Sequence, residues 1–189
     1  MQRSWHKYLA FLAGTVLLIS TQARATLVLP VSVDQMARES EVIVHGQVTE
    51  QRVTWSDDKA RILTLSTIRV LSEVKGARKG DVLTLYQVGG SIDGITTKIV
   101  GACQFDVGEE IVLFGMRFEG KVVTYGMGLG KYLVTELGNT KMVQAQFGDV
   151  SFVRRAVGGR LVKAEPPDFG PKPLTPFLAH VQNLARGSP

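Results

Sequence analysis

The sequence predicts a mainly β domain, folded as a small closed or partly open barrel with a short N-terminal helix and a C-terminal helix. Three observations predict it. Apolar residues recur with a period of two in one run after another. The longest run changes its apolar face midway, as a strand does when it bends round a barrel corner. Glycine also marks almost every junction: sixteen of the 20 glycines lie between Gly76 and Gly159, as many short, tightly turned strands require. At 189 residues and 44% hydrophobic the chain is long enough for one real core.

The first 25 residues read as an export signal (1–25). Arg3, His6 and Lys7 form a basic start, Tyr8 to Ser20 an apolar stretch, and Ala23-Arg24-Ala25 a small-residue cleavage site. A retained N-terminal anchor is the competing reading, but the stretch is shorter than the ~20 residues a spanning helix needs. Cleavage after Ala25 removes Arg3, Lys7 and Arg24 and no acid, taking the net charge from +5 to +2. With that correction the case for a nucleic-acid partner loses its main support. The expected location is exported, either periplasmic or secreted, with no stable membrane anchor after cleavage.

The barrel domain is expected over 26–164. Thr26-Leu-Val-Leu-Pro30 is a short extended arm, since proline disfavours helix at the residue before it. Ser32-Val-Asp-Gln35 matches a capping box and opens a helix to about Ser40. From Glu41 alternation sets in, with Val42, Val44, Gly46 and Val48 on one face and Ile43, His45, Gln47 and Thr49 on the other. That strand extends to Ser56, and Asp57-Asp58-Lys59 makes the turn. Further strands are expected at 61–74, 82–88, 95–100, 110–118, 121–125 and 131–134, with a hairpin over 142–152. Five of the seven prolines fall between Pro166 and Pro176, so 165–173 is expected to be an extended linker. The terminal segment, 174–189, carries a helix over 177–185 that docks Phe177, Val181 and Leu184 on the barrel.

Chemistry-bearing patterns are sparse. One cysteine excludes a disulfide framework within the chain and any multi-cysteine metal site. Cys103 itself either pairs with another molecule or, as its apolar neighbours favour, lies buried. His45 and His180 lack ligand spacing, so neither a metal nor a cofactor is expected. His45 is assigned to the solvated face of its strand. Gly126-Met-Gly-Leu-Gly130-Lys131 resembles a phosphate loop, but a strand follows where a helix N-terminus is needed, so the glycines make a turn or bulge. There is no Gly-x-Ser-x-Gly elbow. Asp57-Asp58 and Glu109-Glu110 are taken as solvated turn charges, although paired carboxylates distant in sequence can act together in glycosidases. Arg154, Arg155 and Arg160 read either as a basic patch or as a solvated hairpin edge, and the overall balance of +2 favours the edge. Thr26, once N-terminal, has no identifiable partners for a nucleophile. The chain is therefore expected not to be an enzyme.

Taken in order, the capped helix, Ser40-Glu-Val-Ile-Val-His-Gly-Gln-Val48, the long strand closing in Val74-Lys-Gly76, the strand ending at Gly89-Gly90 and Phe105-Asp-Val-Gly-Glu-Glu-Ile-Val-Leu-Phe114 form a recurrent set. The set resembles a group of uncharacterised exported bacterial proteins. More distantly, over residues 26–134, it resembles the netrin-like module of the tissue inhibitors of metalloproteinases. That resemblance implies a five-stranded OB-like barrel with flanking helices. In those inhibitors a Cys-x-Cys-x-Pro arm follows the signal, and the first residue's amine and carbonyl chelate the protease zinc. Here Thr26, Leu27, Val28, Leu29 and Pro30 place proline at the same distance from the new amine. The resemblance thus implies partner binding through Thr26–Pro30, the partner being a secreted zinc metalloprotease. Both arm cysteines are absent, and ordering a loose arm costs roughly 1–2 kcal/mol per residue. Two other classes stay open: a structural or assembly factor of the cell envelope, and a small-molecule or glycan binder using Trp55 and Tyr86.

Overall fold

The computed structural model describes residues 26–147, 150–165 and 170–187; the expected export signal lies outside the described residues. The fold is mainly β, with two helices among the described residues. Strand β1 (Thr26–Val28) leads into α1 (Val33–Glu39), then β2 (Val42–Trp55), β3 (Ile62–Lys75), β4 (Val82–Val88), β5 (Gly90–Ile92) and β6 (Ile95–Thr97). After a non-repetitive crossing come β7 (Glu110–Phe118), β8 (Lys121–Thr124), β9 (Lys131–Leu137) and β10 (Thr140–Ala145). The chain ends with β11 (Val150–Arg155), β12 (Leu161–Lys163), β13 (Lys172–Pro173) and α2 (Leu174–Arg186).

The main sheet runs β13-β10-β9-β7-β2-β3-β4-β8, and β8 also pairs with β7. Pairing therefore passes from β7 through β2, β3, β4 and β8 back to β7, with one parallel step at Leu85–Val122. The bend expected in the 61–74 strand falls where the register between β2 and β3 shifts at three places, with the extra residue on β3 at Val74 and Leu71 and on β2 at Thr49. One edge of β7 serves two partners. Its first half (Glu110–Leu113) pairs with β9 and its second half (Gly115–Phe118) with β8. Between them the chain loops out at Tyr125–Gly130 and rejoins, with Tyr125 N–H donating to Phe114 O (2.9 Å) and Phe114 N–H to Gly130 O (2.8 Å). The glycine-rich segment is thus a turn within what is otherwise one long strand. Gly130 is required there because a Cβ would stand 2.3 Å from Phe114 O.

Two apolar clusters share β2 and β7, whose side chains alternate between them. Val42, Val44, Ile111 and Leu113 face inward with Ile68, Val70, Leu85 and Val122. Ile43, Val112 and Phe114 face outward, under α1 and α2, with Tyr132, Phe177 and Val181. Helix α1 forms where expected: Ser32 Oγ accepts from Gln35 N–H (3.1 Å). The Gln35 amide turns to Glu39 instead of closing the box.

Three expectations are corrected. The segment 142–152 is not a hairpin: β10 pairs with β9 and β13, whereas β11 leaves for a separate sheet, β1-β11-β12. Strand β6 stops at Thr97, short of Val100. Helix α2 starts three residues before Phe177, with Pro176 inside its first turn, where the missing N–H has no intrahelical partner to lose. Within the expected linker, Lys172–Pro173 pairs with Val143 and Met142. That pairing ties the terminal helix to the same core, through Leu174, Phe177, Val181 and Ala185.

Candidate functional site

The segment Cys103–Asp106 crosses one end of the strand ring, and its conformation follows from its sequence. Cys103 and Phe105 are buried in the inner cluster while Gln104 and Asp106 are exposed, an in–out alternation of extended chain. Extended backbone with no ladder needs other partners, and four side chains supply them. Gln87 Nε2 donates to Cys103 O (2.8 Å), Lys131 Nζ to Gln104 O (2.5 Å) and Gln51 Nε2 to Phe105 O (2.9 Å). Glu109 Oε2 accepts from Asp106 N–H (2.9 Å). Polar residues on β2, β4 and β9 are thus explained by the strap they hold down.

Lys131 is the least expected member. It opens β9 directly after the glycine turn, and its side chain is only 2% exposed. Its ammonium meets Glu109 at 2.6 Å and lies 4.9 Å from the Phe105 ring centroid. A buried ammonium is tolerable only with such partners. Glu109 is therefore not a solvated turn charge. Its neighbour Glu110 is not one either: it accepts from Lys141 (2.6 Å) and stands 2.7 Å from His45 Nε2. His45 also meets Ser72 Oγ at 2.9 Å, so it is a half-buried, bonded residue on the outer face of β2. Burial pushes the Glu110 carboxyl up, but bonds from Lys141 and His45 outweigh it and hold the group below its usual range.

Clefts open on both sides of the strap. One, of about 260 Å³, lies against Val53, Thr64 and Gly89-Gly90. The larger, about 590 Å³, is bounded by Lys98, Gln104, Glu109, Lys131, Gln146 and Phe147. Cys103 borders both, yet the residue is only 4% exposed and burial pushes its thiol pKa up to about 11. It is a packed residue with little thiolate to offer. The glycine turn pins the strap's N-terminal side: a Cβ on Gly128 would stand 2.2 Å from Gly101 O.

The arm residues lie beside this end. Thr26–Val28 pairs in parallel with Val150–Phe152, and Thr26 Oγ1 donates to Val100 O (2.9 Å), just before the strap. Val28 packs toward the outer core. Leu27 and Leu29 are each 58% exposed. Pro30 is half-buried. The arm is therefore extended, as expected, and anchored as an edge strand. Trp55 and Tyr86 do not converge with it. Both are half-buried, the Trp55 indole N–H donating to Asp93 (3.1 Å) and the Tyr86 ring lying under Lys121.

Among the described residues no group of three or more His, Cys, Asp or Glu side chains is arranged to hold a metal. No helix of the described residues is long and apolar enough to cross a membrane. No family model, curated protein or solved structure matches the chain.

Proposed function

We propose that this chain is an exported, non-catalytic binding module whose partner contacts run through Thr26–Pro30, and that the partner is a secreted zinc metalloprotease. The ring of five paired strands supports reading the body as an OB-like barrel. The observation that carries the reading is the anchoring of the arm. Thr26–Val28 is held by a strand ladder on one side and by the Thr26 hydroxyl on the other, while Leu27 and Leu29 stay exposed. Strand pairing thereby supplies the order that a disulfide gives the resembling inhibitors. Less entropy is then lost on binding.

The test titrates a chain beginning at Thr26, and the same chain with one extra N-terminal alanine, against secreted zinc proteases cleaving a fluorogenic peptide. Inhibition by the first alone assigns the Thr26 amine to the zinc. Absence of binding to every zinc protease secreted by the same cell overturns the reading. A second reading rests on the cleft of about 590 Å³, which falls in the size range of small-molecule sites. A glycan or metabolite lodged there would protect Gln104 and Gln146 amides from exchange without involving the Thr26 amine.

A further inference from the structure

We propose that the β11–β12 hairpin is a peripheral docking tip for anionic lipid headgroups. The hairpin carries Arg154, Arg155, Arg160 and Lys163, all exposed, and no acid occurs between Val150 and Ala164. From Thr26 onward the chain has a net charge of +2, so everything outside the hairpin sums to −2. The acids that balance these cations overall are therefore elsewhere. The described ion pairs join His45, Lys131, Lys141 and His180 to their carboxylates, and none involves the four hairpin cations. A molecule charged in this way is oriented by an anionic surface, hairpin first and body away.

The strand register distributes the cations over both faces. Arg154 lies on the side of buried Phe152, and Arg160 follows it through the Ala156 N–H bond to Arg160 O (2.8 Å). Arg155 and Lys163 lie on the other side, with Leu161. Between them the chain turns at Gly158-Gly159, both at positive φ, leaving Val157 fully exposed at the tip. A flat acidic protein surface would engage one face and leave the other two cations in water. A headgroup layer entered by the tip meets phosphates on every side while Val157 and Leu161 reach the acyl boundary. That geometry selects the lipid surface over a protein one. Such binding is reversible and salt-sensitive, and it is independent of the arm's role.

The experiment floats the chain from Thr26 onward, which holds every described element, with phosphatidylcholine vesicles and with vesicles one third phosphatidylglycerol. Binding is expected only to the anionic vesicles, and is expected to collapse at about 0.5 M salt. Each cation replaced by Gln should weaken partitioning about fivefold, and the Arg154, Arg155, Arg160 and Lys163 quadruple by two orders of magnitude or more. Val157→Asp should weaken it several-fold further. A matched control, Arg52, Lys59, Arg78 and Lys79 to Gln, should stay within about twofold of wild type. Should the quadruple fail to fold, the single changes Arg155→Gln and Lys163→Gln carry the same graded test. Equal losses in the control, binding that survives the hairpin changes, or no binding to either vesicle would each overturn the proposal.

Discussion

The inner and outer cores are built from the same two strands yet are held by different means. Inside the strand ring the packing is aliphatic apart from the strap's own Cys103 and Phe105, and the ring's end is closed by that strap, whose backbone hangs on side-chain bonds and a buried Lys131–Glu109 pair. Outside, β2, β7, β9 and β10 are covered by two helices over an aromatic group, with the Phe114 ring 5.5 Å from Tyr132 and 6.4 Å from Phe177. The outer core thus rests on large apolar volumes, which fail by cavity formation. The end of the inner core rests on polar satisfaction, which fails by stranding a charge. Adjacent carboxylates mark the divide: Glu109 serves the strap and Glu110 the outer face.

Truncating the outer core should have the largest effect. Phe114→Ala removes a fully buried ring and is expected to cost about 4 kcal/mol. Because Val112 and Phe114 alternate with Ile111 and Leu113 on one strand, both cores should be lost together. Thiol labelling of buried Cys103, an inner residue, should then track the loss of outer aromatic signal at every denaturant concentration. Separate transitions would show that the cores melt independently.

Within the inner core the two members of the buried pair should differ. Glu109→Gln leaves the Lys131 ammonium buried with only neutral acceptors, at a cost of about 3 kcal/mol. Lys131→Met leaves Glu109, whose side chain is 16% exposed, free to take up water, at about 1 kcal/mol. Denaturant midpoints of the two variants check the order. Equal losses would mean that the pair is hydrated and the strap is not sealed.

Much of the fold was legible because period two survives even where both faces are buried. The uninterrupted apolar stretches Val42–Val44 and Ile111–Phe114 carried the further information that no face of those strands is solvated, a signal distinct from alternation. His45 was misassigned for that reason. It follows such a stretch, on the side that the Glu110 and Lys141 contacts close off. The strap was far less legible. Its own signal is two residues long, Cys103 and Phe105, and its partners Gln51, Gln87 and Lys131 come from three strands distant in sequence. A polar residue aimed at a crossing backbone looks, in sequence, like one aimed at water. The hairpin expected over 142–152 failed on a related point, since alternation fixes faces but not which neighbour a strand chooses.

The smallest expected effect sharpens the contrast from the outer side. Glu110 is held below the usual carboxylate range: burial raises it, and the Lys141 and His45 bonds lower it further than burial raises it. Lys141 is raised by its bond to Glu110. For Glu110 the folded value is the lower one, so its stabilisation is complete above the unfolded value of about 4.3 and is lost as pH falls through the folded value. For Lys141 the folded value is the higher one, so its share is complete below about 10.4 and is lost as pH rises through the folded value. The denaturant-midpoint gap between wild type and Glu110→Gln should therefore be widest between these limits and narrow on both sides. Lys141 is 43% exposed, so solvent screening keeps the gap under about 1 kcal/mol. A gap that stays constant with pH would place the support in contacts that do not depend on the Glu110 or Lys141 charge.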